Sequence, residues 1–220
     1  MDILFSILGL IIAGSFAYLL GSLNSALVIC RIVKGQDIRK YGSNNAGLTN
    51  VLRTYGKGLA LTVLLCDLFK GIIAVTFARI VVVNIMGVEI FGDGNFVMYF
   101  AAFCAMMGHI FPLYYGFKGG KGVLVAATSL LAIDPLSFIC AILVFVVVVY
   151  VTKYVSVASI FASLSFAVFT LLWQFLRGID TFAINAAVVH IMATIIVWKH
   201  KPNMERIDNG TENKLSFKKK

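Results

Sequence analysis

Charge is scarce in this chain. Only 13% of its 220 residues are Asp, Glu, Lys or Arg, 60% are hydrophobic, and the acidic residues number ten. That balance excludes an ordinary soluble domain and places the protein in the membrane class. Uncharged or nearly uncharged stretches run from Ile3 to Cys30, Gly58 to Ala78, Asn95 to Phe117, Gly122 to Ile133, Pro135 to Thr152, Tyr154 to Leu176 and Thr181 to Trp198. Several reach the roughly 20 residues with which a helix crosses about 30 Å of hydrocarbon. The alternation of a barrel strand is missing, and lipid satisfies no backbone group, so these stretches are expected to be helices.

Other absences narrow the reading. A cleavable leader is not expected, because the first run carries Asp2 instead of a basic start and is too long for an h-region. No CxxC occurs, and Cys30, Cys66, Cys104 and Cys140 all lie in apolar runs, where they are expected to pack as small hydrophobes. No spacing joins His109, His190 or His200 to carboxylates as a metal site, and no nucleophile elbow or Ser-His-Asp pattern is present. A Walker loop is excluded, since Tyr115 stands where its first glycine belongs and Gly122 where Ser or Thr would bind magnesium. An HxxxxD acyltransferase pattern is absent too, because Tyr114, Ile195 and Glu205 occupy the fifth place after the three histidines. No metal and no cofactor is expected.

The net charge of +9 is placed for a membrane and not for nucleic acid. Six basic residues follow the first span (Arg31, Lys34, Arg39, Lys40, Arg53, Lys57), Lys118 and Lys121 share one later loop, Lys153 stands in another, and seven lie from Lys199 onward. Arg79 and Arg177 fall in the opposite connections, and Lys70 inside a span. The positive-inside rule then puts the N-terminus outside and the C-terminus, with residues 199–220, in the cytoplasm. Five or seven crossings satisfy that parity, because the twelve residues Gly122 to Ile133 cover only about 18 Å before Asp134-Pro135. The whole chain, 1–220, reads as one integral membrane domain.

On this topology four polar segments emerge on one face: Gly42 to Asn50, Gly116 to Gly122, Lys153 to Ser156 and Lys199 to Glu212. Glycines let successive amides point into one concavity that holds an anion. Ser43, Asn44, Asn45, Thr49 and Asn50 add neutral donors, and Arg53 stands three residues further on a starting helix, whose N-terminus favours negative charge. In GFKGGKG, Lys118 and Lys121 flank Gly119-Gly120. Each segment alone fits helix packing, turn formation or surface anchoring; together they point to a phosphate site. His109 and His200 lie at that face and could orient a hydroxyl or an oxyanion. His190 is expected to be packed and hydrogen-bonded, and Asp67 with Lys70, one helical turn apart inside an apolar run, either to neutralise each other in a structural role or to take part in catalysis directly.

DIRKYGSNNAGLTNVLR, DLFKG, GHIFPLYYGFKGGKGV, KYVSVASI and KHKPNMERIDNGTENKL occur in order and at spacings that closely resemble the bacterial membrane-integral acyl-phosphate:glycerol-3-phosphate acyltransferase family, the PlsY type. The resemblance runs from Gly21 to Leu215. It implies a seven-helix all-α protein of the bacterial cell membrane, active at its cytoplasmic side. Its reaction would join a fatty acyl group from long-chain acyl phosphate to the 1-hydroxyl of sn-glycerol 3-phosphate. The products would be lysophosphatidic acid and phosphate, the first step of phospholipid synthesis. It further implies that Ser43, Arg53 and Ser156 hold one phosphate, that Lys118, Lys121 and the Gly119-Gly120 amides hold the other, and that His200, Asn203 and Glu212 position glycerol phosphate or lock the C-terminal segment. Lys121, His200, Asn203 and Glu212 are the catalytic candidates, and the resemblance implies that a substrate phosphate oxygen, not a protein base, would take the proton. The chain departs from the family at Asn24, where Pro is usual, and at Asn44, where Gly is; Asn tolerates positive φ, so the turn can survive. A transporter of an organic phosphate is the competing class, since broken helices and basic loops also line substrate pathways.

Overall fold

The computed structural model describes residues 3–215, so Asp2 and the lysines at 218–220 of the charge pattern lie outside the described residues. The α-helices are α1 (Ile3–Ser22), α2 (Ser25–Lys34), α3 (Leu48–Tyr55), α4 (Lys57–Phe77), α5 (Asn95–Ile110), α6 (Val123–Leu131), α7 (Pro135–Thr152), α8 (Val155–Leu176), α9 (Phe182–Lys199) and α10 (Lys201–Asp208). Helix α4 continues as a π-helical segment, Ala78–Ile85, and short 3₁₀ turns stand at Ile38–Lys40 and Leu113–Tyr115. The protein is therefore all-helical, as the apolar runs require. Six helical stretches among the described residues are long and apolar enough to span a membrane: Ile3–Lys34, Lys57–Ile85, Asn95–Tyr115, Pro135–Thr152, Val155–Leu176 and Phe182–Lys199. Helix α6, at nine residues, covers only about 14 Å.

The chain forms two compact units, Met1–Ile133 and Asp134–Lys220. In the first, the apolar run from Ile3 is not one helix: it breaks at Leu23-Asn24, where Asn24 turns to an extended conformation and caps α2 by accepting from the amide of Leu27. Helix α1 lies against α5 at small residues. A Cβ on Gly21 would overlap the Ala105 carbonyl, and one on Gly108 the Tyr18 carbonyl, so the two backbones touch. That is how helices associate where lipid removes the hydrophobic drive between them. Ala13, Ala17, Ala74, Ala78, Val97, Ala101 and Ala105 continue this core.

A second apolar cluster has a different task. Ala26, Leu27 and Cys30 of α2, Val51 of α3, and Ala60 and Val63 of α4 close around Ile38 and Ala46. Two buried side chains thus pin the polar stretch between α2 and α3, which would otherwise be a loose loop.

In the second unit α8 packs against both α7 and α9, and α10 turns off the end of α9. Lys153 takes a left-handed conformation, φ 63°, in the tight turn between α7 and α8. His190 hydrogen-bonds the Ala186 carbonyl as expected, but its side chain lies on the exposed face of α9 and is not packed. The four cysteines are free, and Cys66 faces outward on α4, so only the other three have a packing role.

Candidate active site

The stretch from Tyr41 to Arg53 is organised by Asn50. Its Oδ1 accepts from the amide of Ser43 at 2.9 Å, and its Nδ2 is aimed at the carbonyls of Tyr41, Asn45 and Ile38 at 2.9, 3.0 and 3.3 Å. With 1% exposure, it is the internal tie of the loop. Asn50, expected as a ligand, has both its ends engaged within the protein. Asn44 does take the left-handed conformation, φ 57°, so the departure from glycine leaves the turn intact. Ser43, Asn45 and Thr49 are half-buried, and Asn44 and Arg53 are exposed, the latter on α3.

The second loop follows α5. The amides of Gly119 and Gly120 donate to the carbonyls of Ile110 and His109, each at 3.1 Å. These two glycine amides, expected as phosphate donors, close the loop onto the helix end. Glycine is required at 120 for another reason: a Cβ there would collide with the His109 ring and the Ala46 carbonyl. Lys118 is exposed and Lys121 half-buried.

The two loops are joined by Arg39. Its Nη1 donates to the carbonyls of Tyr115 at 2.9 Å and Lys118 at 2.8 Å, while Nε and Nη2 grip Asp37. Those hydrogen bonds from Arg39 hold the Asp37 carboxyl down to about 2, and Arg31 adds to the pull from 3.5 Å. A planar five-donor fork can hold a carboxylate and two carbonyls together; an ammonium cannot.

Beneath the loops lies a buried polar cluster. Lys70 Nζ stands 2.7 Å from Asp67 Oδ1, and Ser25 Oγ donates to the same oxygen at 2.7 Å. Lys70 also donates to His109 Nδ1 at 3.0 Å and to the Leu23 carbonyl at 3.3 Å. The expected pairing of Asp67 with Lys70 is present. His109 is 4% exposed and its Nδ1 faces this lysine, so it supports the loops from within and does not stand open at the surface.

In the second unit Glu212 is the centre. Its Oε1 accepts from Ser156 Oγ at 3.1 Å and Asn203 Nδ2 at 2.8 Å, and its Oε2 from Arg206 Nε at 2.7 Å. Burial pushes this carboxyl up, but the bonds from Asn203 and Arg206 outweigh it and the net direction is down. These bonds tie the C-terminal segment down as a lock, which the Leu215 amide extends by donating to the Lys153 carbonyl at 2.7 Å. Ser156 is a donor in that lock. His200 is 2% exposed, with Nδ1 on the Ile196 carbonyl at 2.7 Å; a carbonyl only accepts, so this nitrogen carries the proton.

Local pattern found the loops but not their fasteners. Arg39, Asn24 and Ser25 lie in segments that read as basic linker or apolar span, and only their long-range partners reveal them; Asp37 enters through its neighbour Arg39. Among the described residues no group of three His, Cys, Asp or Glu side chains is placed to hold a metal ion.

Fold and loops together define an integral membrane protein whose basic, glycine-rich segments are fixed by buried polar contacts. The sequence matches the profile of the glycerol-3-phosphate acyltransferase family over residues 11–210. It is 39% identical over 218 residues to the glycerol-3-phosphate acyltransferase of Halalkalibacterium halodurans, covering 96% of each chain. It is 36% identical over 222 residues to that of Chlorobaculum parvum, covering 91% of this chain and 94% of the relative. Among solved structures it resembles PlsY, an integral membrane glycerol 3-phosphate acyltransferase, in its glycerol 3-phosphate form, with a TM-score of 0.79 and 32% identity over 94% of this chain and 96% of the other. The lysophosphatidic acid form of PlsY matches with a TM-score of 0.75 and 30% identity, over 94% and 95% of the two chains. The chain belongs to the glycerol-3-phosphate acyltransferase family, and it is an acyltransferase.

Proposed function

We propose that the protein transfers a fatty acyl group from acyl phosphate to the 1-hydroxyl of sn-glycerol 3-phosphate, releasing lysophosphatidic acid and inorganic phosphate. The observation that carries this reading is the family match across residues 11–210, which includes both basic loops and the C-terminal segment as far as Gly210. It also supports treating 1–220 as one catalytic domain.

The hydroxyl oxygen attacks the acyl carbonyl carbon, a C–O bond forms, and the bond to the phosphate oxygen breaks. Acyl phosphate is a mixed anhydride with a good leaving group, so the protein's task is to align two anions and steady the oxyanion. Arg53 and Ser43, with Asn44, Asn45 and Thr49 as neutral donors, bind one phosphate. Lys118 and Lys121 bind the other, as side chains without the glycine amides. His200 and Asn203 orient the glycerol phosphate. A phosphate oxygen of the substrate takes the hydroxyl proton, in keeping with the missing HxxxxD base.

Seven crossings, with α6 as a short one, place the N-terminus outside and the basic loops and C-terminus in the cytoplasm of a bacterial cell. The acyl tail then lies in the bilayer while the phosphates stay at its cytoplasmic surface. The test is an assay of purified protein with glycerol 3-phosphate and, in parallel, acyl phosphate, acyl-CoA or acyl carrier protein. Lysophosphatidic acid from acyl phosphate alone is the expected result. Product only from another donor overturns the donor assignment, and product from none favours an organic-phosphate transporter.

A further inference from the structure

We propose that Lys70, with Asp67 and His109, is a positioning clamp that sets the register between the two substrate loops. The inference rests on the reading of those loops as phosphate-binding.

The geometry closes on itself. An ammonium has three N–H donors, and Lys70 has three acceptors: Asp67 Oδ1, His109 Nδ1 and the Leu23 carbonyl. Leu23 belongs to the break between α1 and α2, and the next residue, Asn24, donates from Nδ2 to the Ala46 carbonyl at 3.2 Å in the first loop. That carbonyl lies against Gly120 of the second loop, and Gly120 lies against the His109 ring, which returns to Lys70. One ammonium therefore fixes, through Leu23-Asn24 on one side and His109 on the other, where the Ala46 and Gly120 backbones meet. Ser25, bonded to Asp67, holds the same break from its other end.

Stability alone does not account for such a cluster inside a span, because a buried ion pair is commonly replaceable by apolar side chains without loss of stability. Removing one member leaves a lone buried charge, so single variants confuse folding with positioning. The clamp predicts that both charges can be removed together with the fold retained and the alignment of the loops lost. Small misalignments of bound reactants fall on turnover more than on affinity.

The decisive variant is Asp67→Asn with Lys70→Met, which keeps an acceptor for Ser25 but removes the bonds to Leu23 and His109. It should insert, and its kcat should fall roughly thirtyfold to a hundredfold while KM for each substrate changes less than about fivefold. A second pair leaves Asp67 and Lys70 untouched: His109→Phe should lose turnover to a similar degree, whereas His109→Asn, with an amide oxygen near the Nδ1 position, should recover at least about tenfold of it. If the double variant fails to fold, the histidine pair decides alone. The clamp is overturned if the double variant keeps kcat and KM within about twofold of the wild type, or if the two histidine variants are equal in turnover. Wild-type protein that makes no lysophosphatidic acid removes the underlying functional reading, and the clamp with it; an active wild type with indifferent variants removes the clamp alone.

Discussion

Arg39 Nη1 donates to the Lys118 carbonyl at 2.8 Å across 79 residues of sequence. One guanidinium thereby carries the position of the first polar loop into the second. Replacing Arg39 with Lys keeps the charge but not the fork, and Arg39→Ala removes both. Both variants are expected to lower kcat/KM by roughly ten- to a hundredfold, the loss of one or two hydrogen bonds to a charged group, with steady-state kinetics as the measurement.

Asp37, which Arg39 holds, gives this tie a pH limit. Its carboxyl is depressed to about 2 in the folded protein, against an ordinary value of about 3.9. A depressed carboxylate contributes stability that is fully present above the ordinary value and fades as pH falls through the folded one. Thermal unfolding in detergent should therefore drop in temperature as pH is lowered from about 4 toward 2, and Asp37→Asn should flatten that part of the curve.

Glu212 gathers Ser156, Asn203 and Arg206, so Glu212→Ala leaves three donors without their acceptor. It is expected to cost about 2–3 kcal/mol and to free the segment after α10, seen as faster proteolysis within residues 209–215. The Glu212 carboxyl is also held below its ordinary range. The lock is thus strongest above a pH of about 4.5 and weakens as the solution becomes more acidic.

Arg53, Lys121 and His200 are the residues proposed to supply charge and orientation to the reaction itself. Arg53→Ala, Lys121→Ala and His200→Ala should each reduce lysophosphatidic acid formation by roughly a hundredfold or more, with each protein inserted at wild-type levels. Near-normal turnover in all three would refute the proposed division of roles.

Gly108 makes a purely steric prediction. A side chain at this position meets the Tyr18 carbonyl of α1, so Gly108→Val should force α1 and α5 apart and cost about 1–3 kcal/mol, read as a lower unfolding temperature.

Much of the fold is legible in composition, because a span is a local property: enough consecutive apolar residues must form a helix in lipid, whatever their neighbours. The break at Leu23-Asn24 is not legible in that way. It lies inside a run without an ionisable side chain, and it is stabilised by Lys70 and Ala46, residues of other segments. The candidate site divides similarly. The accumulation of Ser, Asn, Gly and Lys from Gly42 to Asn50 and from Gly116 to Gly122 marks the loops from sequence alone, whereas the partners of Asn50, Glu212 and the Gly119-Gly120 amides are seen only in the fold.

The sequence by itself determined the membrane class, the helical spans and the two basic, glycine-rich loops, since hydropathy and side-chain chemistry act over a few neighbouring residues. Only the tertiary structure decided which polar groups hold the loops in place. A buried donor must find an acceptor, and the acceptors for Arg39, Lys70 and Ser156 lie 79, 39 and 56 residues away, at Lys118, His109 and Glu212.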